Sequence, residues 1–295
     1  MKQTFRGLGT ALATPFGKGG ALDEKALRRL LQFQIRGKVD FLVPLGTTGE
    51  ASTLDESEYF RVVEICQEEA GGKVPLLVGA GSNNTAHSVH LTRRLHQMGV
   101  DGTLQVVPYY NKPTQDGQYR HFAEIAAAAP LAMIIYNIQG RTSVNMNTST
   151  LMRLGEIPNV VGVKEASGNL NQIMEVLRRR PKTLAVLSGD DAWGFPVIAC
   201  GGDGIISVAS NIIPDQMKKM IALALTGRMD DARKIHYRLM EIFQGLFLET
   251  NPIPVKTALA AMGKIRDEFR LPLSPMQADN KKKLLDILRR AKIIR

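Results

Sequence analysis

The chain has 295 residues, of which 44% are hydrophobic and 22% are charged, and its formal net charge is +10. This composition is that of an ordinary globular protein, and the length suits one large α/β domain with an appendage, or two domains. The basic residues are scattered as pairs and triplets without an aromatic-rich basic segment. We therefore expect no nucleic-acid partner, and a surface charge that steers small anionic substrates to the protein.

No segment predicts a membrane protein or a secreted protein. The N-terminus, MKQTFRGLGTALATPF, lacks the apolar region of a signal peptide. The longest apolar stretch, residues 125–136, contains Pro130 and is shorter than the roughly 20 residues that span a bilayer. The two cysteines, Cys66 and Cys200, lie far apart in no metal-like spacing. We expect a cytoplasmic protein whose thiols are reduced.

Eight short apolar runs recur along the first three quarters of the chain. Continuous rather than alternating runs are typical of strands that are covered on both faces. In chain order they are GTALATPF from Gly9, DFLVPLG from Asp40, VPLLVGAG from Val74, GTLQVVPYY from Gly102, LAMIIYN from Leu131, VVGVKEA from Val160, LAVLSGDD from Leu184 and GIISVASN from Gly204.

Helical periodicity fills the gaps between these runs. Residues 53–56 have the T-x-x-E form of a capping box, and Pro214 and Gly227 suit the first turn and the end of another helix. Eight strand–helix pairs predict an α/β fold, a (β/α)8 TIM barrel at residues 1–227. The following residues, 228–295, are helical in period and predict a C-terminal helical region. The alternative is a doubly wound open sheet, although GAGSNN at Gly79 lacks the third glycine of a dinucleotide-binding loop.

Active-site groups of such a barrel lie at the C-terminal ends of the strands. This rule selects Thr47 and Thr48 after the second strand, Tyr109 and Tyr110 after the fourth, Tyr136 at the fifth, Lys164 at the sixth, and Gly189 to Asp191 after the seventh.

Lys164 stands inside an otherwise apolar strand. Alternation predicts that Val160, Gly162, Lys164 and Ala166 face the barrel interior, together with Ile134 and Tyr136, and that Val161, Val163 and Glu165 face the helices. Burial lowers the pKa of a lysine, and a neutral amine forms a Schiff base with ketones and aldehydes. The alternative is a lysine that extends to solvent from the end of the strand.

Hydroxyl and cationic groups near Lys164 suit imine chemistry. Tyr136 could move protons, and Thr47 and Tyr110 offer two more hydroxyls, although tyrosines also serve in packing and threonines in turns. The loop GTTGEAS is either a seat for a carboxylate or a plain Gly-rich turn. Arg141 could clamp a second carboxylate or only meet solvent. His87 and His90 are three residues apart without a third ligand, so we expect no metal site.

These residues together resemble the dihydrodipicolinate synthase and N-acetylneuraminate lyase family of class I aldolases. The resemblance covers nearly the whole chain, in the family's order and spacing. It is carried by GTALATPF, GTTGEAS, VPYYNKPTQDGQYRHF, IIYNIQGRT, VGVKEASGNL, SGDD, GIISVASN and NPIPVKTAL. Arg141 and Asn251 resemble the synthase branch, which implies condensation of pyruvate with L-aspartate-4-semialdehyde to hydroxytetrahydrodipicolinate on the diaminopimelate route to lysine.

The resemblance also implies a role for each site residue. Lys164 would form a covalent imine with pyruvate, so no cofactor is expected, and Tyr136 would shuttle protons. Thr47 and Tyr110 would complete a proton relay, with Tyr110 reaching in from a neighbouring subunit of a homotetramer, a dimer of dimers. The remaining substrate contacts would come from Thr48 for the carboxylate of pyruvate, Arg141 for that of the semialdehyde, and the backbone of Gly189 and Ile206.

The chain departs from the family pattern at two places. It has NIQG before Arg141 where the family usually has NVPS, so the proline that stiffens this loop is missing. Lysine-inhibited members carry histidines and a glutamate in a pocket between subunits. Here Glu56, Tyr59 and His87 align with that pocket, although Asn83 and Tyr109 match. We expect weak or absent inhibition by lysine.

Two other functions stay open. One is a related pyruvate-dependent lyase that acts on a sugar acid such as N-acetylneuraminate or 2-keto-3-deoxygluconate, with a different loop for the second substrate. The other is a catalytically silent barrel that binds a small carboxylate. A silent barrel does not need the hydroxyl groups of Tyr136, Thr47 and Tyr110 around Lys164.

Overall fold

The computed structural model describes residues 5–295, and eight parallel strands alternate with helices along the chain. The strands are β1 (Gly7–Ala11), β2 (Phe41–Val43), β3 (Leu77–Gly79), β4 (Gly102–Val106), β5 (Ala132–Asn137), β6 (Val160–Glu165), β7 (Ala185–Ser188) and β8 (Gly204–Ser207). Each of the eight apolar runs overlaps one strand.

The strands form one sheet that closes on itself. Their order is β2-β1-β8-β7-β6-β5-β4-β3, and all the pairs are parallel. A parallel bridge between Leu42 and Leu76 joins the two outer strands. The backbone N–H of Gly79 donates to the carbonyl of Pro44 at 3.0 Å, next to this bridge. The predicted TIM barrel is therefore confirmed, and the alternative of an open doubly wound sheet is wrong.

Twelve helices are found in the described part of the chain. They are α1 (Glu24–Arg36), α2 (Glu56–Ala70), α3 (Thr85–Gln97), α4 (Gln115–Ala128), α5 (Gln139–Thr142), α6 (Thr148–Gly155), α7 (Leu170–Arg179), α8 (Asp191–Ala199), α9 (Pro214–Leu225), α10 (Met229–Gly245), α11 (Ile253–Ala261) and α12 (Ala278–Arg290). None of these helices is long and apolar enough to cross a membrane.

The predicted helix boundaries are confirmed for α9 and wrong for α2. Pro214 opens α9, and Gly227 follows its end with a φ of +80°. The capping box of α2 is formed by Asp55 and Glu58, two residues later than predicted. Thr53 does not cap α2, because it lies in the preceding 3-10 turn, Ala51–Thr53, where its hydroxyl donates to the carbonyl of Glu50 at 3.0 Å.

The C-terminal helices share the core of the barrel. Ile253, Val255 and Leu284 belong to the same buried cluster as Leu27 and Leu31 of α1. Helix α10 packs against α8 and α9, and α12 packs against α10 and α11. A division of the chain at residue 227 stays a prediction.

The side-chain alternation of β6 is interrupted at its start. Met133 pairs with Val160 but Ile134 pairs with Gly162, so the register shifts by one residue at Val161. Val160 consequently packs in the cluster that contains Phe122 of α4, and its predicted inward orientation is wrong. Beyond the shift the strand is regular, and Lys164 pairs with its neighbour on β5, Tyr136.

Candidate active site

A cavity of about 530 Å³ opens at the C-terminal ends of the strands. Thr47 lines it from the turn after β2, Tyr136 from the end of β5 and Arg141 from α5. Asn251 lines it from the segment before α11. The barrel brings these groups together because the C-terminal ends of all parallel strands lie at the same end of the sheet.

Lys164 is a buried lysine beside this cavity. Its side chain is 5% exposed, and Nζ lies 4.0 Å from the centroid of the Tyr136 ring. Burial lowers the pKa of Lys164 to about 7, the negative charge of Asp191 raises it, and the positive charge of Arg141 lowers it. The neutral amine is therefore well populated at pH 7, as the sequence argument requires of a nucleophile.

The absence of a side chain at Gly189 makes room for Lys164. A Cβ at this position would lie 2.7 Å from Cβ of Ala166 and 3.1 Å from Cε of Lys164. Such contacts are closer than side chains tolerate, so any larger residue here would displace the lysine. Gly189 thus belongs to the site through its size.

Tyr136 presents the face of its ring to Lys164. Burial raises the pKa of its hydroxyl, the charge of Arg141 lowers it, and that of Asp190 raises it. The hydroxyl is therefore protonated at neutral pH and can give a proton to a departing group.

The turn of residues 47–49 brings one hydroxyl to the cavity and buries the next. Thr47 is exposed to the cavity, while Thr48 is buried and its Oγ1 accepts a hydrogen bond of 2.9 Å from Nδ2 of Asn251. The hydroxyl of Thr14 donates to the carbonyl of Gly49 at 2.7 Å. These contacts fix the turn to the barrel on one side and to the C-terminal segment on the other.

Arg141 lies in α5, a short helix that begins after β5. Its Nη2 donates to the carbonyl of Asn251 at 3.2 Å, and its Nη1 to the hydroxyl of Thr250 at 3.4 Å. The guanidinium is thus oriented by the C-terminal segment in the absence of the proline. Its remaining donors are available to a carboxylate in the cavity.

Lys164 adjoins the cavity through the ring of Tyr136 and is not itself part of its lining. Four more predicted residues do not line the cavity within one chain, namely Thr48, Gly189, Tyr110 and Ile206. Tyr110 is 89% exposed on the loop after β4, with a φ of +69°. Ile206 is buried, and its backbone pairs with Gly9 of β1. Tyr136 and Tyr110 are therefore not brought together by the fold of a single chain.

Asp191 is a buried carboxylate whose contacts the sequence did not predict. Its oxygens accept hydrogen bonds from the hydroxyl of Ser207 at 2.5 Å and from the backbone N–H groups of Val208 at 3.0 Å and Ala209 at 2.8 Å. Burial raises its pKa to about 6, although these hydrogen bonds favour the charged form. Asp191 ties the loop after β8 to the start of α8 and supplies negative charge near Lys164.

The histidines of α3 take part in ordinary side-chain contacts. Nε2 of His90 lies 2.9 Å from Oε1 of Glu56, and His87 lines the outer part of the cavity. Within residues 5–295 no cluster of three or more histidine, cysteine or acidic side chains could hold a metal ion.

Known proteins resemble this chain over nearly its full length. The model of the dihydrodipicolinate synthetase family matches residues 4–291. A 4-hydroxy-tetrahydrodipicolinate synthase of Geotalea daltonii is 47% identical over 290 residues, which are 98% of this chain and 100% of that one. The structure of a dihydrodipicolinate synthase from Aquifex aeolicus is 43% identical with a TM-score of 0.96, covering 98% of this chain and 99% of that one.

A third relative has been crystallised with pyruvate. It is the chloride-inhibited dihydrodipicolinate synthase of Acinetobacter baumannii, complexed with pyruvate. It is 39% identical to this chain with a TM-score of 0.97, and the match covers 99% of this chain and 100% of that one. On this evidence, and with a buried lysine at the end of the sixth barrel strand, the chain belongs to the dihydrodipicolinate synthetase family.

Proposed function

We propose that this protein condenses pyruvate with L-aspartate-4-semialdehyde, the reaction of 4-hydroxy-tetrahydrodipicolinate synthases. The observation that carries the proposal is the amine of Lys164, buried beside a cavity of about 530 Å³ and with a pKa of about 7. The names of the relatives and the carboxylate-binding groups around the cavity support it.

The first step forms an imine and requires no cofactor. The neutral Nζ of Lys164 attacks the keto carbon of pyruvate, and the carbinolamine then loses its hydroxyl as water, with a proton supplied by Tyr136. The protonated imine withdraws electrons, so the methyl carbon loses a proton and becomes a nucleophile. This carbon attacks the aldehyde of the second substrate. The amino group of the semialdehyde then attacks the imine carbon, which closes the ring and releases the amine of Lys164. Over the whole reaction one molecule of water is released.

Two groups account for the two carboxylates of the substrates. The turn with Thr47 and Thr48 is proposed to hold the carboxylate of pyruvate, and Gly189 is proposed to leave room for the keto acid next to Lys164. Arg141 is proposed to bind the carboxylate of the semialdehyde, since a guanidinium forms paired hydrogen bonds with a carboxylate. The net charge of +10 favours the approach of both anionic substrates.

The assembly is proposed to be a homotetramer, a dimer of dimers, in which Tyr110 enters the site of a neighbouring subunit. The support is the exposure of this large aromatic side chain, 89%, on a loop beside the cavity. Tyr110→Phe should lower kcat about a hundredfold, because the relay loses one hydroxyl. Tyr237→Phe, at another exposed tyrosine, should leave kcat unchanged. Equal kcat values for both variants would contradict the role of Tyr110.

The protein is further proposed to work in the cytoplasm. Cys66 and Cys200 are both free thiols, which is typical of a reducing compartment. The partners of the protein would then be its two substrates and further copies of its own chain.

One experiment separates this function from its alternatives. The protein is incubated with pyruvate and borohydride, and the reduced adduct is mapped by mass spectrometry, with Lys164→Arg as the control. We expect an adduct at Lys164 in the natural chain only, and turnover with aspartate semialdehyde. Turnover with N-acetylneuraminate or 2-keto-3-deoxygluconate instead would indicate a sugar-acid lyase. Absence of any adduct would leave a silent carboxylate-binding barrel.

A further inference from the structure

A buried ion pair joins the C-terminal region to the loop after β2. Nζ of Lys256, in α11, contacts Oε1 of Glu50, and the two side chains are 0% and 1% exposed. The same Nζ lies 4.3 Å from the ring centroid of Phe16 and 4.9 Å from that of Phe269. Burial lowers the pKa of Lys256, and the charge of Glu50 raises it. The pair is thus nearly inaccessible to water, with two aromatic rings beside the ammonium group and Glu50 in the wall of the cavity.

Glu50 ends the turn that contains Thr48 and presents Thr47 to the cavity. Its backbone N–H donates to the carbonyl of Thr47 at 3.1 Å, and its φ of +49° is the left-handed conformation that residues with a side chain rarely adopt. Oε2 of Glu50 accepts from the backbone N–H of Arg270 at 3.4 Å. The left-handed backbone at Glu50 is therefore fixed by a side chain with partners on both oxygens.

Two more contacts attach the same loop to the same region. Nδ2 of Asn251 donates to Oγ1 of Thr48 at 2.9 Å. Nη1 of Arg270 donates to the carbonyl of Thr53 at 2.7 Å. The loop of residues 47–53 is thus held at Thr48, Glu50 and Thr53 by residues more than 200 positions later in the chain.

A buried ion pair is a poor means of adding stability. The cost of removing both charges from water offsets most of their attraction, and well-packed apolar side chains are often as stable. A buried charge does, however, require its partner at a defined place, whereas apolar side chains tolerate small displacements. The pair is therefore better suited to setting the geometry of the turn than to holding the fold together.

We propose that Glu50 and Lys256 are positioning residues that hold the Thr47–Thr48 turn as the seat of the keto-acid carboxylate. The affinity for the first substrate then depends on an ion pair formed with α11. This inference rests on the proposed function, because it assumes that pyruvate binds at that turn. Neither residue touches the reacting atoms, so the expected effect is on substrate binding.

The test measures the pyruvate concentration that gives half-maximal borohydride trapping at Lys164. It needs no second substrate and no turnover. In Lys256→Met this concentration should rise about tenfold or more, because a displaced binding group loses much of its interaction. The adduct formed at saturating pyruvate should equal that of the natural chain, because Lys164 is unchanged.

A matched control breaks another partly buried ion pair. Arg180 contacts Asp203, which precedes β8 at the opposite end of the barrel. Arg180→Met should lower the melting temperature and leave the half-saturating pyruvate concentration within twofold of the natural chain. If Lys256 had only a structural role, Lys256→Met would also lower the melting temperature without changing the half-saturating pyruvate concentration.

A double variant provides the same test without an unpaired buried charge. Glu50→Gln combined with Lys256→Met should fold even where Lys256→Met alone does not, which circular dichroism checks. Its half-maximal trapping should still require about tenfold more pyruvate than that of the natural chain, because no ion pair holds the turn. The inference would be overturned by a folded single or double variant whose half-saturating pyruvate concentration is within twofold of that of the natural chain. Absence of trapping in the natural chain would instead overturn the proposed function.

Discussion

Nζ of Lys164 lies 4.0 Å from the ring centroid of Tyr136. The negative face of an aromatic ring attracts an ammonium group, so this contact favours the charged form of the lysine. Burial favours the neutral form more strongly, since the pKa of Lys164 falls to about 7. The balance leaves about half of the molecules with a neutral amine at pH 7.

Imine formation should therefore increase with pH through neutrality. The neutral fraction of a lysine with a pKa of about 7 grows about tenfold between pH 6 and pH 8. The initial rate of adduct formation with pyruvate, trapped with cyanoborohydride, should follow this curve. Tyr136→Phe keeps the ring and removes the hydroxyl, so it should slow the reaction about a hundredfold with little change in the midpoint. A midpoint above pH 9 would show that Lys164 is not desolvated.

The same pKa predicts that Lys164 reduces the stability of the fold. Lys164 binds its proton less tightly in the folded chain than in the unfolded chain, where its pKa is the ordinary 10.5. The free-energy cost of this difference is complete below pH 7 and disappears as the pH rises towards 10.5. Lys164→Met should raise the free energy of unfolding by about 4 kcal/mol at pH 7.

Urea unfolding at pH 7 and pH 10 checks this prediction. The gain in Lys164→Met should fall from about 4 kcal/mol at pH 7 to about 1 kcal/mol at pH 10, because the folded lysine is at least half neutral at both pH values while the unfolded one begins to lose its proton only near its ordinary pKa of 10.5. Lys218→Met is the control, because the side chain of Lys218 is 30% exposed and its Nζ lies 2.5 Å from a carboxylate oxygen of Asp40. This control should give no gain at pH 7. A pH-independent gain in Lys164→Met would point to apolar packing instead of charge.

The fold was predictable because its signals are local. Every strand of the barrel overlaps one of the short, mainly apolar runs, and the helices between them have their own period. Lys164 was found in the same way, as one charged residue inside an apolar strand. The register shift at Val161 has no such signal, because an extra residue in a strand changes the pairing and leaves the composition unchanged.

The contacts that complete the site were not predictable from spacing. Asn251 meets Thr48 across 203 residues, and Lys256 meets Glu50 across 206 residues. Only the fold reveals such partners. Lys256 nevertheless carried a usable signal, because it is the single charged residue of the otherwise apolar helix α11. A charge in an apolar segment marked Lys164, and the same criterion would have marked Lys256.

The size of residue 189 should control the position of Lys164. Gly189→Ala places a methyl group 3.1 Å from Cε of Lys164 and 2.7 Å from Cβ of Ala166. We expect a loss of about 2 kcal/mol in the free energy of unfolding and at least tenfold slower imine formation. Gly155→Ala is the control, since its methyl group would meet only ordinary contacts of 3.4 Å or more and should leave both quantities unchanged. Normal imine formation in Gly189→Ala would show that the lysine tolerates displacement.

Inhibition by lysine should be weak or absent. Two of the pocket residues that differ from the lysine-inhibited pattern, Glu56 and Tyr59, already have partners within the chain. Oε1 of Glu56 lies 2.9 Å from Nε2 of His90, and the hydroxyl of Tyr59 donates to the carbonyl of Gly79 at 2.8 Å. An incoming lysine would have to replace these contacts or leave its own charged groups without partners, and either outcome weakens binding.

Initial rates measured with increasing lysine test this prediction. Millimolar lysine should reduce the rate no more than the same concentration of arginine, which carries an equal charge and so controls for ionic strength. An inhibition constant in the low micromolar range would contradict the prediction, because it would require Glu56 or Tyr59 to exchange its present partner for the inhibitor. In that case Tyr59→Phe should keep the packing of the ring and reveal whether the hydroxyl takes part in the inhibition.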